Sequence, residues 1–262
     1  MKKKKTISHI VKWLKSYIQT HQLNGMVIGI SGGVDSALVS TLCALTELPT
    51  LCIEMPIHQS PAQLQRGYQH LEWLKRSYQN TRSLRVELTS TFETLIGAFP
   101  PTNAHHHQLA LANTRARIRM ATLYYFAGLE GLAVTGTGNK IEDFGIGFYT
   151  KYGDGGVDLN PIADLMKSEV FELAEFLGIH DAILKAKPTD GLFGDNRSDE
   201  EQIGATYTEL EWAMLEAEKG KTSQDFTDRQ AEVMKIYEYR HKINRHKWNP
   251  IPICKIPEDY RD

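Results

Sequence analysis

Cysteine is scarce in this chain. Three stand in 262 residues, at Cys43, Cys52 and Cys254, and no two form a Cys-x-x-Cys pair. That spacing excludes zinc-ribbon and iron–sulfur patterns and offers no disulfide framework. A reducing, cytoplasmic setting is expected, with Cys43 and Cys52 as small core residues. Apolar runs of membrane length are missing. The basic tip Met1-Lys2-Lys3-Lys4-Lys5 leads into an amphipathic segment (Ile7, Ile10, Val11, Leu14, Ile18), not into the apolar stretch of an export signal. No membrane partner is expected. Charge of one sign is not in excess: 30 Lys and Arg meet 32 Asp and Glu, a formal net charge of −2. A nucleic-acid partner is therefore not expected either. Internal repeats and low-complexity linkers are absent, so residues 1–262 read as a single domain. With 41% hydrophobic residues, that domain can bury a sizeable core.

What the chain does contain begins at Met26-Val27-Ile28-Gly29-Ile30-Ser31-Gly32-Gly33-Val34-Asp35-Ser36. A short apolar run breaks into two glycines, and a helical pattern follows. Such a strand, turn and helix start leaves backbone N–H groups without partners and places partial positive charge at the turn. Gly32 and Gly33 let an anion approach the main chain, and Ser31 and Ser36 add hydroxyls. Asp35 does not favour a phosphate directly, so its expected task is to hold a divalent cation that does. No Gly-Lys-Ser/Thr closes the loop, which excludes a Walker A sequence. The stretch resembles the pyrophosphate-binding loop of the ATP pyrophosphatases, the PP-loop enzymes.

The remaining pattern alternates. Helical periodicity covers about Thr6–Gln22, Ser36–Glu47, Pro61–Tyr78 and Gln108–Gly128. Strand-like runs lie at Met26–Ile30, Thr50–Met55, Ser83–Leu88 and Gly131–Thr135. This order argues for an α/β fold, a doubly wound parallel sheet flanked by helices. Ligands on such sheets bind beyond the carboxyl ends of the strands, where Ser31–Ser36 and Gly136–Asn139 both fall. His105-His106-His107 reads as part of a solvated loop, because adjacent residues diverge on any regular backbone. Helices are expected again at Ile203–Glu218 and Gln230–Arg240, then an extended, proline-bearing stretch at Trp248–Pro257.

A second glycine-rich region runs from Thr135 to Gly156 and includes Thr150-Lys151-Tyr152-Gly153-Asp154-Gly155-Gly156. Its length suits a site more than a connector. Lys151 offers a cation to phosphate, and Asp154 and Asp158 offer acceptors to a ribose or amide. Together with Ser31–Ser36, Asn113-Thr114-Arg115-Ala116-Arg117-Ile118-Arg119-Met120, Pro188-Thr189, Ser198-Asp199-Glu200 and His246-Lys247, this region resembles the ammonia-dependent NAD synthetases. The likeness spans roughly residues 5 to 250, and other PP-loop families share only its first block.

The resemblance implies a PP-loop, adenine nucleotide alpha hydrolase-like fold and a two-step reaction. Deamido-NAD would be adenylylated on its carboxylate by ATP, the co-substrate, with Mg2+ as cofactor, and ammonia would then displace AMP to give NAD. By position, Ser31, Gly32, Gly33, Val34, Asp35, Ser36, Thr137, Lys167 and Thr189 would bind ATP, with Asp35, Lys167 and Thr189 as the catalytic set. Asp35 and Glu142 would hold the metal. Because the stretch from Gly136 to Thr150 is one residue longer than in many members, Asp143 competes with Glu142 for that role. Asn113, Arg117, Phe148, Lys151, Asp154, Asp158, Asp199, Glu200, His246 and Lys247 would bind deamido-NAD, with Phe148 stacked on the nicotinate ring. His241-Lys242 could serve in place of His246-Lys247. Many members carry Arg where this chain has Glu54-Met55-Pro56, and Arg where it has Trp248. The family implies a homodimer with the deamido-NAD site near the interface. Free ammonia is the expected donor, because no cysteine has the neighbours of a glutaminase nucleophile. Two rivals remain: another PP-loop amidating or thiolating enzyme, and a non-catalytic nucleotide sensor. The first usually needs catalytic cysteines or a basic surface, and the second has no need of paired metal carboxylates.

Overall fold

The computed structural model describes residues 1–188 and 198–261. Four parallel strands form its sheet, in the order β3-β2-β1-β4. They are β1 (Gly25–Gly29), β2 (Thr50–Glu54), β3 (Thr81–Arg85) and β4 (Leu132–Val134). Val27 pairs with Leu51 on one side and Val134 on the other. β1, β2 and β4 are buried almost throughout, which is why they read as continuous apolar runs. β3 is an edge strand and exposes Arg82, Leu84 and Arg85. Apolar spacing predicts a strand at Ser83–Leu88; the structure begins it two residues earlier. Pairing with β2, Thr50 to Thr81 through Glu54 to Arg85, sets the register there.

Helix α1 (Lys3–Thr20) precedes the sheet. α2 (Val34–Ala44) joins β1 to β2, and α3 (Pro61–Ser77) joins β2 to β3. Pro61 at the first helical position and the Ser60 hydroxyl, accepting from Gln63 N at 3.3 Å, start α3. α4 (Thr89–Gly97) and α5 (His107–Glu130) then carry the chain across to β4 on the far side of β1. The direction of winding therefore reverses between β1 and β4. Both carboxyl ends open there, at Ile30–Gly33 and at 135–138, so both sequence signatures face one crevice. His105 and His106 are exposed in the turn before α5.

One sheet face packs against α1, α2 and α6 (Lys167–Phe176), with Leu14, Leu38, Leu42 and Leu173 fully buried. The other packs against α4 and α5 through Val27, Ile53, Phe92 and Ala127. Burial pushes the Cys43 thiol up to about 12, so it is an inert core group at neutral pH. A third cluster lies beside the sheet. There a π-helical turn, Ile141–Ile146, packs against α9 (Tyr207–Glu218) and α10 (Asp228–Asn244) through Ile141, Ile146, Leu210, Met214 and Met234. The helix expected over Ile203–Glu218 is divided. α8 (Asp199–Ile203) stops at Gly204, whose φ is +89°, and α9 restarts behind a Thr206 cap. Short α7 (Asp181–Leu184) and the 3-10 turn Arg245–Lys247 complete the frame of the site. Among the described residues, no helix is long and apolar enough to cross a membrane.

Candidate active site at the sheet switch point

The first loop holds itself open. Ser36 Oγ donates to Gly33 O at 3.0 Å, Gly33 N donates to Ser31 Oγ at 3.2 Å, and Ser31 N donates to Ser36 Oγ at 3.3 Å. Gly32 has φ +80°, and a Cβ there would stand 2.5 Å from Gln63 O. Only glycine fits between this turn and α3. Val34, Asp35 and Ser36 form the first turn of α2, whose N–H groups have no intrahelical acceptors. Ser31, Gly33, Val34, Asp35 and Ser36 line the cleft with Thr137 and Gly138 from the β4 end.

Beside this loop lies a charge triad with a buried lysine and two half-buried carboxylates. Lys167, the first residue of α6 and 3% exposed, donates from Nζ to Asp35 Oδ2 at 2.7 Å and to Glu142 Oε1 at 2.9 Å. Asn139 Nδ2 fixes the other Asp35 oxygen at 3.0 Å. Burial opposes charge on Lys167, but the Asp35 and Glu142 carboxylates outweigh it and raise its pKa. Burial also raises Glu142, against the pull of Lys167. One ammonium against two carboxylates leaves the triad with net negative charge. That all-oxygen pair suits a hard divalent cation completed by phosphate oxygens and water. Among the described residues, no group of three or more His, Cys, Asp or Glu is arranged to hold a metal by itself.

Asp143 also lines the cleft and is buried. It accepts from Asn160 Nδ2 at 3.0 Å, and burial with Asp154 and Glu142 nearby raises its pKa well above the ordinary range. Glu142 meets the Lys167–Asp35 pair, whereas Asp143 faces Asn160 and Gly138. The geometry thus separates the two competing acids.

The expected acceptor residues divide. Phe148, Asp154 and Asp199 line the cleft. Asp154 also accepts from Thr150 N at 2.9 Å, and the others are engaged by protein atoms around the cleft. Asn113 Oδ1 accepts from the Thr150 hydroxyl at 2.7 Å, and an Arg117 guanidinium nitrogen donates to Lys151 O at 3.3 Å. Lys151 Nζ donates to His246 O at 2.6 Å, and Lys247 Nζ donates to Gly147 O at 2.5 Å and Tyr149 O at 2.7 Å. Asp158 accepts from Val134 N at 2.8 Å and from the Tyr124 hydroxyl at 3.0 Å, so it ties α5 to β4. Glu200 accepts from Tyr207 N at 2.8 Å. His241, the alternative to His246, bonds Gly145 O through Nδ1 at 2.8 Å. Thr189 lies outside the described residues.

Several cleft residues escape the motif reading. Arg66 on α3 lines the cleft and donates from Nε to Gly32 O at 3.2 Å. Arg119 on α5 donates to Met55 O at 3.0 Å and to Gln59 Oε1 at 3.2 Å. Two cations thus stand near the end of β2, where Glu54 itself is buried and its pKa is raised by that burial. The available signal was Gly67, a glycine inside α3, where a Cβ would lie 3.0 Å from Glu54 Oε1.

Comparison with known proteins fits this geometry. The family model described as NAD synthase matches residues 6–250. The NH(3)-dependent NAD(+) synthetase of Finegoldia magna is 35% identical over 239 residues, 91% of this chain and 92% of that protein. Among solved structures, the NMN synthetase from Francisella tularensis superposes with a TM-score of 0.83 at 28% identity, covering 98% of this chain and 99% of the other. The NH3-dependent NAD synthetase from Campylobacter jejuni, in complex with nitrate, gives 0.77 at 27% identity, covering 97% of this chain and 100% of the other.

Proposed function

Because the chain belongs to the NAD synthase family, we propose that its switch-point cleft amidates deamido-NAD with ammonia at the expense of ATP. The observation that carries this reading is Lys167 held between Asp35 and Glu142 at the mouth of the serine–glycine loop. A carboxylate is a poor electrophile at neutral pH, so it must first gain a leaving group. One nicotinate carboxylate oxygen attacks the α-phosphorus of ATP, the bond to the β-phosphate oxygen breaks, and pyrophosphate leaves. Ammonia then attacks the acyl carbon, AMP departs, and the nitrogen loses a proton. Negative charge develops on phosphate oxygens in the first step. The α2 amides, the two serine hydroxyls and Lys167 are placed to receive it.

Asp35 and Glu142 would hold Mg2+ through their oxygens, and the ion would neutralise the pyrophosphate as it leaves. Thr137 at the β4 end and Thr189 complete the ATP contacts in this reading. Phe148, Asp154 and Asp199 hold the nicotinate half. Asn113, Arg117, Lys151, Asp158, Glu200, His246 and Lys247 shape the rim through the bonds to protein atoms given above. A homodimer is supported by Tyr125 and Leu129 on α5, which are 65% and 64% exposed and would find cover at a subunit interface. The free cysteines, two buried and one exposed, suit the cytoplasm.

A second reading has the mononucleotide form of the acceptor in the same cleft. It is favoured by the likeness to an NMN synthetase and by Arg117, Lys151 and Asp158 being bonded to protein atoms. The test is to supply ATP, magnesium and ammonium with either acceptor and to measure AMP and amide product. NAD and AMP formed in equal amounts are expected, faster than any mononucleotide turnover. Efficient synthesis from glutamine, free of contaminating ammonia, would remove ammonia as the donor. No AMP with either acceptor would remove the reading.

A further inference from the structure

Tyr207 stands behind the cleft, 7% exposed and outside its lining, at the start of α9. Its hydroxyl donates to Glu142 Oε1 at 2.5 Å and lies 3.3 Å from Asp199 Oδ2. Its ring lies under the Lys167 ammonium, 4.9 Å from the centroid. A phenol has one proton and serves one carboxylate at a time. The two distances give that proton to Glu142 here. Glu142 belongs to the metal and pyrophosphate side, Asp199 to the acceptor side.

We propose that Tyr207 is a positioning residue that couples the two substrate sites: when magnesium and nucleotide claim Glu142, the hydroxyl proton turns to Asp199 and sets that carboxylate for the acceptor. The proposal rests on the assignments of Glu142 and Asp199 made above. Everything except the proton stays in place. The ring is packed among Ile141, Leu210 and Met214. Tyr207 N is bonded to Glu200 at 2.8 Å, and Asp199 opens α8 behind the Ser198–Glu201 capping box. Only the torsion of one hydroxyl changes, and no covalent bond forms or breaks. Such coupling is reciprocal, so the acceptor must tighten the nucleotide by the same factor. One hydrogen bond to a charged group sets the scale at roughly tenfold.

Tyr207→Phe tests this, because it keeps the ring and its contact with Lys167 and removes only the hydroxyl. Calorimetry would give the Kd for deamido-NAD with and without magnesium and α,β-methylene-ATP, an analogue that cannot release pyrophosphate. Wild type should bind the acceptor about tenfold tighter with the analogue present. The variant should show equal affinities, with Tm within about 4 °C of wild type, the span of roughly 1 kcal/mol for a chain of this size. Should the variant melt earlier than that, Asp199→Asn is measured the same way and should also lose the tenfold gain. Coupling retained in both variants overturns the proposal, as does a wild type that binds both ligands independently. Acceptor affinity untouched by Asp199→Asn removes the premise itself.

Discussion

Between Ser31 and Ser36 the amides and hydroxyls bond one another within six residues, while Arg66 reaches Gly32 O and Lys167 and Asn139 reach Asp35 from elsewhere. Between Gly145 and Asp158 several carbonyls are bonded by side chains arriving from elsewhere. His241 and Asn244 of α10 reach Gly145 O and Ile146 O at 2.8 and 2.9 Å, Lys247 reaches Gly147 O and Tyr149 O, and Arg117 of α5 reaches Lys151 O. The first loop is local and leaves its helix N-terminus free for an anion. The second is irregular, so its buried backbone must be satisfied by long-range partners before any charge is free for a ligand. The difference between the loops therefore lies in the helix N-terminus that the first offers to an anion.

The sharpest way to break this contrast is at Asp35. Asp35→Asn keeps the size and removes the charge, so turnover should fall by roughly 10²–10³, the scale of one lost charge-stabilising group. Single-turnover pyrophosphate release at saturating magnesium measures it. A near wild-type rate would mean the first loop is no more chemical than the second.

Acid should loosen the support of the first loop. His70 of α3 is 1% exposed; its Nε2 pairs with Ser40 Oγ of α2 at 2.8 Å, and its Nδ1 is buried without a partner. Burial pushes its pKa down from 6.5 to about 4. Between those values the unfolded chain binds a proton that the folded chain refuses. The contribution is complete above pH 6.5 and is lost as pH falls towards 4, by about 3 kcal/mol in all. Denaturant melts of wild type and His70→Gln at pH 7 and pH 5 test the sign, with a steeper loss expected for wild type. Parallel losses would show that His70 takes up its proton in the fold.

The second loop should answer differently. Asp158→Ala removes the acceptor of Val134 N and the Tyr124 hydroxyl, so stability should fall by about 1–2 kcal/mol. The KM for deamido-NAD should change less than threefold, a shift under roughly 0.7 kcal/mol. A large KM change at unchanged Tm would return Asp158 to the ligand site.

The central strands were legible because β1, β2 and β4 are buried on both faces and leave apolar runs. The strand, glycine turn and helix start around Ser31–Ser36 were legible because the glycines and the apolar run that mark them are adjacent in sequence. β3 was misplaced by two residues because an edge strand takes its register from its partner. α6 was not anticipated, although Lys167 at its head was identified by resemblance. The roles of Arg66, Arg119 and Tyr207 depend on what lies across the cleft, which no spacing along the chain reports. Asp158, Lys151 and Lys247 have the right chemistry for a ligand, but their bonds run to atoms up to about a hundred residues away.

That distance bears on the order in which the molecule comes into being. Chains emerge from synthesis amino end first. The sheet, the serine–glycine loop and Lys167 are all present once α6 has formed. The carbonyls of Gly145, Ile146, Gly147 and Tyr149 wait for His241, Asn244 and Lys247, 96 to 100 residues later. Under the proposed assignment, a growing chain thus holds the residues of the nucleotide cradle before it holds the partners of the acceptor rim. Its reaction chamber is not complete until α10 is made, so in that assignment the residues that would hold ATP are in place before those that would complete the acceptor site.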